Sequence, residues 1–554
     1  MRSQRRRRAL HPGGRRRALV VLWGVGGVLA WLALVAPDDL STLSVQSLVR
    51  LPLEGVVAVA VLLALSLVGL PSRVRAAVAA GIGVLLALLL TLKVLDTGLL
   101  QALGRPLRPT QDWTYAGSGL GFLTDSVGRP LAVLVVVLGA VGWTLGVVLL
   151  GWSVVRLQGL VDRRRRGALL GLGAAAVVWT ALAATGLELP DGRAVASTDA
   201  AGLVARHVLQ VRSDLQDRTT FAREIAIDPF RAAPASHLLQ GLRGKDVVVV
   251  FVESYGRVAV EGSPISAGVD ATLRTATSRL QASGVGSRSA FLTSPTFGGI
   301  SWLAHSTLQS GLWVDSQERY DTLLTTHRLT LSGAFRRAGW RTVDAVPSDQ
   351  DDWPQGEAFY GFDHLYGAGN LGYAGPRFGY STMPDQYVLA ALQRLELTPG
   401  PRRPVMAELD LTSSHSPWAP LPSLVRWASV GDGSVFDPMP ALGDTAAHVW
   451  ADQQRIAAAY GQSVEYSVGA VTSFLQTTTD PNLVVLMLGD HQPSDAVSGA
   501  HAGRDVPVTI LAKDPRVLSR VAGWGWQPGL LPTAGAPVWR MDAFRDQFLS
   551  AFSR

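Results

Sequence analysis

Three short segments of this 554-residue chain place acidic or imidazole side chains directly after apolar runs. The segments follow residues 252, 411 and 488, and they read ESYG, TSSH and GDHQP. Their candidate side chains are Glu253, His415, Asp490 and His491. An isolated aspartate after a strand is usually a helix cap or a turn residue, whereas three such segments indicate one shared site. Carboxylates together with an imidazole suit the binding of a divalent cation.

A fourth segment, residues 294–311, offers a nucleophile and reads SPTFGGISWLAHSTLQSG. Gly298 and Gly299 allow a tight turn, after which Ser301 begins a helix-like stretch that Gly311 closes. Backbone N–H groups at a helix amino terminus favour negative charge, such as that of a phosphoryl group. From these residues alone an N-cap, the commonest role of serine at that place, remains the alternative for Ser301.

Apolar runs rich in Val, Ile and Leu must position these segments. The predicted strands are 246–252, 341–346, 405–411, 483–488 and 507–511, and the predicted helices are 329–338, 385–396 and one within 444–478. Continuous apolar strands separated by helices are typical of a mostly parallel sheet flanked by helices on both faces. Ligands of such α/β folds lie beyond the carboxyl ends of the strands, which is where the candidate residues fall.

The first third of the chain predicts an α-helical membrane domain. Five apolar runs occur at about 18–36, 55–72, 76–92, 130–152 and 167–187, each near the roughly 20 residues that span a bilayer core. The loops on one side hold 15 arginines and those on the other side hold four. This asymmetry predicts a plasma-membrane protein with a cytoplasmic amino terminus and with everything after residue 187 outside. If one run is instead a re-entrant or buried helix, the orientation of the second part reverses.

Charge and composition follow the same division. The net charge is +13 over residues 1–186 and −6 over residues 187–554. The predicted domains are a membrane domain at 1–187, a connector at 188–240 and an extracellular α/β domain at 241–554. The absence of cysteine excludes a disulfide scaffold, a thiolate metal site and a cysteine nucleophile. The basic clusters Arg5–Arg8 and Arg163–Arg166 lie beside spans, so we expect contact with anionic lipids and no nucleic-acid partner.

The VESYG and GDHQP motifs, together with the layout, resemble the alkaline phosphatase and sulfatase superfamily. The nearest resemblance is to lipoteichoic acid synthases and related membrane phosphoglycerol or phosphoethanolamine transferases. It covers most of the chain in layout and about 245–515 in motifs. The resemblance implies one divalent cation, Mn²⁺ with Mg²⁺ or Zn²⁺ as alternatives, bound by Glu253, the nucleophile, Asp490 and His491. The paired Asp-Asp that sulfatases carry after the first strand is absent, which favours one metal over a binuclear site.

Ser301 and Thr296 are both candidates for the nucleophile. Thr296 is a candidate because the synthases that the chain resembles use threonine. In sulfatases the nucleophile lies ten residues before the glycine that ends its helix. Ser301 lies ten residues before Gly311, and Thr296 lies fifteen residues before it. This spacing favours Ser301, with Thr296 as the fallback.

The resemblance also implies substrate contacts. His415 matches a histidine that contacts the substrate and protonates the leaving group, although a capping histidine at a strand end is the alternative. Trp353 matches a tryptophan that holds the substrate, but non-basic Gln355 stands near the place of an arginine that binds phosphoglycerol. His305, one helical turn after Ser301, and His501 are weaker candidates.

Three functions compete. The first is a membrane-anchored transferase that moves a phosphoryl-alcohol head group from a membrane lipid to an envelope glycan or lipid, through a covalent serine or threonine intermediate. The second is a sulfatase-like hydrolase, a phosphodiesterase, phosphatase or sulfatase that uses water as the acceptor. The third is a non-catalytic envelope scaffold, which the presence of Glu253, Asp490 and His491 disfavours.

Overall fold

The computed structural model describes residues 12–349, 353–398, 400–500 and 502–553. The chain separates into two compact units. The first holds the described residues up to 100 together with 105–110 and 127–214, and the second holds 101–104, 111–126 and the described residues from 215 onward. These limits follow packing, whereas the predicted domain limits at 187 and 240 follow composition and stay predictions.

Long apolar helices form most of the first unit. Among the described residues, four helices are long and apolar enough to cross a membrane: Arg17–Val35, Ser72–Leu103, Arg129–Arg163 and Arg165–Thr185. The remaining predicted span, 55–72, is instead the shorter apolar helix Leu53–Leu67. It ends early because Gly69 adopts a φ of +74° and Pro71 cannot continue a helix. In place of about five predicted spans, the described residues contain four helices that meet this criterion and one shorter apolar helix, so the number of spans stays a prediction.

The first seven helices are α1 (Pro12–Val35), α2 (Leu53–Leu67), α3 (Ser72–Leu103), α4 (Ala116–Val127), α5 (Arg129–Arg163), α6 (Arg165–Thr185) and α7 (Asp199–Ala226). Two short strands, β1 (Leu51–Pro52) and β2 (Ala196–Ser197), pair in parallel within the first unit.

A nine-stranded sheet lies at the centre of the second unit. Its strand order is β10-β4-β9-β8-β3-β7-β5-β6, with β11 paired to β4. The strands are β3 (Asp246–Val252), β4 (Gly286–Thr293), β5 (Arg341–Ala345), β6 (His364–Tyr366), β7 (Val405–Leu411), β8 (Leu483–Gly489), β9 (Asp505–Ala512), β10 (Gln527–Pro528) and β11 (Val538–Arg540).

The sheet is mixed, with five parallel and three antiparallel strand pairings, and so agrees with the prediction of a mostly parallel one. The strands β8, β3, β7, β5 and β6 run in parallel, as predicted for the centre of the sheet. The strand β9 is antiparallel to β8, and β4 is antiparallel to β9. The sequence analysis missed β4 because GSRSAFLT interleaves serines with its apolar residues and lacks a continuous apolar run.

Helices cover both faces of the sheet. One face packs against α8 (Ser266–Ala282), α13 (Asp385–Leu395) and α16 (Gln453–Thr477), and the other packs against α9 (Ser301–Ser310), α11 (Leu331–Arg337) and α19 (Ala543–Phe552). The predicted helices 329–338, 385–396 and the one within 444–478 correspond to α11, α13 and α16. The shorter helices are α10 (Gln317–Leu324), α12 (Pro354–Tyr360), α14 (Met439–Leu442), α15 (Ala446–Val449), α17 (Asp495–Ser498) and α18 (Pro515–Arg520).

Candidate functional site

Two adjacent strand ends bring the predicted metal ligands together. Val252, the last residue of β3, pairs with Gly489, the last residue of β8, so Glu253 and Asp490 leave the sheet side by side. The ligand atoms of Glu253, Asp490 and His491 lie within 4.8 Å of one another, and all three residues are buried. The juxtaposition expected from the three strand-end motifs is therefore present in the fold.

Ser301 joins this group. Its hydroxyl donates to Glu253 Oε2 at 3.0 Å and lies 3.2 Å from His491 Nε2. It is the first residue of α9, and Gly311 follows that helix with a φ of +64°, as the spacing predicted. The preceding Ile300 has a φ of +64°, which is rare for a β-branched residue and costs of order 1–3 kcal/mol. Such strained residues cluster at active sites, where the surrounding structure holds them.

The turn before Ser301 requires glycine at one position in particular. Gly298 adopts a φ of +72°, and a Cβ there would lie 1.8 Å from the backbone oxygen of Ala102. Both the left-handed conformation and the close backbone approach exclude a larger residue. The sequence therefore fixes the path that delivers Ser301 to the group.

Hydrogen bonds orient the ligand atoms toward a common point. His491 Nδ1 donates to the Gln492 carbonyl at 2.8 Å; a carbonyl only accepts, so Nε2 is the nitrogen that faces Ser301 and Glu253. Asp490 Oδ1 accepts from the N–H groups of Ser254 and His491, both at 2.7 Å. Asp490 Oδ2, by contrast, is buried without a hydrogen-bond partner among the described residues.

The ionisable side chains of this group change one another's pKa. Burial opposes the charged form of Glu253, but His491 more than offsets it and holds the pKa of Glu253 well below its usual value. Burial and then the charge of Glu253 raise the pKa of Asp490 to about 7. Burial also opposes charge on His491, yet Asp490 and Glu253 raise its pKa to about 9. A cation that displaces the proton of His491 would meet carboxylates already oriented for it.

These observations test whether a divalent cation fits. Glu253, Asp490, His491 and the Ser301 hydroxyl supply three oxygen ligands and one imidazole nitrogen, and Asp490 Oδ2 accepts no hydrogen bond from the described residues, with only His491 Nε2 near it at 3.5 Å. The residues present therefore fit such an ion.

Thr296 lies behind this group and faces away from it. Its N–H donates to Ser294 Oγ at 3.3 Å, and its hydroxyl lies 3.5 Å from that same atom. Ser294 Oγ in turn donates to the backbone oxygen of Asp490 at 2.6 Å. Thr296 is thus part of the buried support beneath Asp490 and does not line the cavity described next.

A cavity of about 460 Å³ opens in front of Ser301, and both predicted substrate residues line it. His415 Nδ1 donates to the carbonyl of Ser416, and the ring stacks on Tyr380 with centroids 3.6 Å apart. Burial lowers the pKa of His415, although Glu253 counteracts part of that effect. The His415 ring is therefore held by fixed contacts on the cavity wall.

Trp353 lies on the opposite part of the same cavity, where Tyr320 and Tyr360 surround it at centroid distances of 6.5 and 5.7 Å. Gln355 is exposed and is absent from the described lining residues. His501 lies outside the described residues, so its candidacy stays a prediction.

The lining of the cavity is acidic. Six carboxylate residues contribute to it, and the described lining residues include no Lys or Arg; the six are Glu253, Asp344, Asp349, Glu408, Asp410 and Asp490. An anionic substrate group could not be held there by protein charge alone, so cations must supply the positive charge.

A second acidic group in this cavity was missed by sequence reasoning. His305, Glu408 and Asp410 bring their ligand atoms within 4.8 Å of one another. Burial lowers the pKa of His305 to about 3 and raises that of Glu408 to about 7. His305 therefore lines the cavity. Its partners Glu408 and Asp410 lie on the strand β7 and are not part of the strand-end motifs. The only available signal was the pair of acidic residues inside the apolar run VMAELDL.

No protein-family model matches the sequence, and no curated protein matches it. Among solved structures, the chain is similar to lipooligosaccharide phosphoethanolamine transferase A (EptA), an integral membrane protein from Neisseria meningitidis. The identity is 14%, the alignment covers 95% of each chain, and the TM-score is 0.49.

Two further structures match about half of the chain. The lipoteichoic acid synthase LtaP from Listeria monocytogenes is 16% identical over 49% of this chain and 66% of its own, just under two thirds, with a TM-score of 0.33. The periplasmic domain of EptC from Escherichia coli, in complex with Zn, is 14% identical over 58% of this chain and 86% of its own, with a TM-score of 0.37.

The resemblance predicted from the motifs thus recurs among the solved structures. Identities of 14% to 16% and TM-scores below 0.5 describe a likeness of fold. We therefore base the function on the chain's own residues.

Proposed function

We propose that this protein is a membrane-anchored transferase that moves a phosphoryl-alcohol head group from a membrane lipid to a hydroxyl of an envelope glycan or lipid. One observation carries the proposal: the hydroxyl of Ser301 lies 3.0 Å from Glu253 Oε2 and 3.2 Å from His491 Nε2, at the mouth of an acidic cavity. A hydroxyl on a strained turn beside three convergent ligands is arranged for attack more than for capping.

The reaction divides into two displacements at phosphorus. In the first, Ser301 Oγ forms a bond to phosphorus while the bond to the lipid alcohol breaks, and the proton lost by the serine ends on the leaving alcohol. In the second, the acceptor hydroxyl attacks phosphorus, the bond to Ser301 breaks, and the acceptor's proton returns to the serine. Two substitutions through a covalent intermediate replace one direct and more difficult transfer.

The protein's own groups share this work. Glu253 accepts the hydrogen bond of the Ser301 hydroxyl and so fixes the direction of its lone pairs. His415, held by Ser416 and Tyr380, passes the proton of the serine to the leaving alcohol and later passes the proton of the acceptor back to the serine. Trp353 and its neighbouring rings enclose the head group. When bound by Glu253, Ser301, Asp490 and His491, the divalent cation lowers the pKa of the serine hydroxyl and neutralises charge on the phosphoryl group.

A lipid donor agrees with the membrane helices and with the predicted orientation. The arginine asymmetry predicts that the second unit lies outside the cytoplasm, where envelope acceptors are found. Hydrolysis, with water in place of the acceptor, uses the same ligands and is the outcome that the experiment must separate from transfer.

The test incubates the purified full-length protein with Mn²⁺ and head-group-labelled phospholipids, followed by mass analysis of its peptides. We expect a phosphoryl-alcohol adduct on the peptide that contains Ser301, and its mass names the head group. An added alcohol acceptor should discharge the adduct faster than water does.

Thr296→Ala is the matched control because it removes a buried hydroxyl five residues away, and it should still form the adduct. No adduct on the Ser301 peptide, or an adduct that persists in Ser301→Ala, would contradict the proposal. If water alone removes the head group from Ser301, the protein is a hydrolase and not a transferase.

A further inference from the structure

A second group of ligating side chains lies in the cavity, apart from the residues around Ser301. His305, Glu408 and Asp410, named here the β7 cluster, offer an imidazole nitrogen and two carboxylate oxygens within 4.8 Å of one another. We propose that the β7 cluster binds a second divalent cation. This site is additional to the single cation that the sequence motifs predicted.

Strand geometry explains why the β7 cluster converges. Glu408 and Asp410 are two residues apart on β7, so both side chains project from the same face of the sheet. Asp410 pairs with Phe251 of the neighbouring strand β3. The ring of His305 stacks on Phe251 with centroids 3.9 Å apart, so α9 lays its imidazole over the two carboxylates.

A neighbouring carboxylate, Asp344, is buried beside the β7 cluster, and one of its oxygens has no hydrogen-bond partner among the described residues. Asp344 pairs with Glu408 across β5 and β7, which puts both side chains on one face of the sheet, and both line the cavity. It is 5% exposed, and its Oδ1 has no hydrogen-bond partner within the described parts of the chain. A buried carboxylate oxygen without a donor is costly unless a cation or an unseen donor binds it.

The members of the β7 cluster itself are also incompletely satisfied. His305 Nδ1 lies 3.4 Å from Asp410 Oδ1, yet neither that oxygen nor His305 Nε2 has a hydrogen bond to any described residue. Glu408, in contrast, is fixed because its Oε2 accepts from Gln309 Nε2. One anchored carboxylate beside ligand atoms with unused lone pairs is the arrangement that a cation completes, and imidazole with carboxylates suits Mn²⁺ or Zn²⁺.

The charge of the cavity gives the second cation a role, and this role rests on the proposed function although the site does not. Six carboxylates and no described Lys or Arg line the space that an anionic phosphoryl group must enter. A second ion at the β7 cluster would lower the repulsion between the cavity and the substrate phosphate.

The experiment counts bound metal and needs no substrate. Full-length protein in detergent is stripped with a chelator, dialysed against saturating Mn²⁺ and analysed for manganese per chain. Wild type should bind two ions, while Glu408→Gln and Asp490→Ala should each bind one. The protein with both changes should bind none.

Glu396→Gln is the matched control because it also neutralises a buried carboxylate, one that pairs with Arg341 at the start of β5 and lies outside the cavity lining. It should keep two ions. Asp410→Asn provides a second test of the β7 cluster in case Glu408→Gln does not fold.

One ion in wild type, or two ions in both Glu408→Gln and Asp410→Asn, would overturn the second site. If Glu408→Gln and Asp410→Asn both retain two ions, we would infer instead that the β7 cluster contacts a group of the substrate, such as an ammonium. The count of metal ions is separate from adduct formation on Ser301, so failure of the second site and failure of the proposed function are distinguishable.

Discussion

The two ligand groups of the cavity arise from different parts of the same sheet. Glu253, Asp490 and His491 follow the last residues of β3 and β8, where the chain leaves the sheet. Glu408 and Asp410 lie within β7, on the same face of the sheet as the apolar Val249 and Phe251 of β3. Strand ends can present several ligands from a short loop, whereas a strand interior presents one side chain to a face at every second residue.

The two groups also differ in how their atoms are supported. Asp490 Oδ1 accepts two backbone N–H groups, and His491 Nδ1 donates to a carbonyl, so the group beside Ser301 is held in place by its own loop. In the β7 cluster, His305 Nε2 and Asp410 Oδ1 have no hydrogen bond within the described residues. We infer that the strand-end group performs the chemistry and that the β7 cluster adjusts the charge of the cavity.

The first prediction compares the activity of one variant from each group. Asp490→Ala should abolish turnover because it removes a ligand and leaves Glu253 and His491 without the ion that activates Ser301. Glu408→Gln should retain turnover and raise KM about tenfold, equivalent to about 1.4 kcal/mol of binding. Steady-state kinetics with a labelled lipid donor measures both. Equal losses of kcat in the two variants would end the division of roles.

The second prediction tests which hydroxyl is the nucleophile. Ser301→Ala should lose turnover by several kcal/mol of activation free energy, since the covalent path disappears. Thr296→Ala should keep most of its turnover because its hydroxyl contacts Ser294 behind the site. Ser301→Thr should retain partial activity if the turn tolerates the added methyl group. An inactive Thr296→Ala beside an active Ser301→Ala would reverse the assignment.

The third prediction concerns the proton carrier. His415→Asn keeps an N–H able to reach the Ser416 carbonyl but cannot be protonated, so turnover should fall by about 10²-fold. Burial lowers the pKa of His415, so its protonated form is scarce at neutral pH and increases as the pH falls. The value of kcat/KM should therefore rise as the pH falls across the neutral range in wild type. A His415→Asn protein with the same pH profile would contradict this role.

Sequence reasoning found the strand-end group and missed the β7 cluster for one physical reason. The motifs ESYG and GDHQP interrupt apolar runs, so they stand out, and the runs themselves predicted β3, β7 and β8 closely. Glu408 and Asp410 sit inside such a run, and only the pairing of β7 with β3 and β5 shows that their face meets His305 and Asp344. Register and the antiparallel β4 depend on long-range pairing, which residue patterns do not specify.

The fourth prediction compares two buried carboxylates by their contribution to the free energy of unfolding. Asp228 is buried between Arg328 and Arg545, at 3.4 and 3.2 Å; Asp228→Asn removes the ion pair of Arg328, while Arg545 keeps Asp546 at 2.7 Å, and it should cost about 3 kcal/mol. Glu408 has no such cationic partner among the described residues, and Glu408→Gln should change the metal-free stability by about 1 kcal/mol or less. Thermal unfolding in chelator, followed by tryptophan fluorescence, measures both. A large loss in Glu408→Gln would mark the β7 cluster as structural.

We expect Ser301 to share one cation with Glu253, Asp490 and His491, and anomalous X-ray diffraction from crystals of the full-length protein grown with Mn²⁺ can locate that ion. We predict a manganese peak with Ser301 Oγ, His491 Nε2 and carboxylate oxygens of Glu253 and Asp490 at about 2 Å, the usual length of such ligand bonds. A peak that Ser301 Oγ does not approach, or no peak among these four residues, would contradict the account.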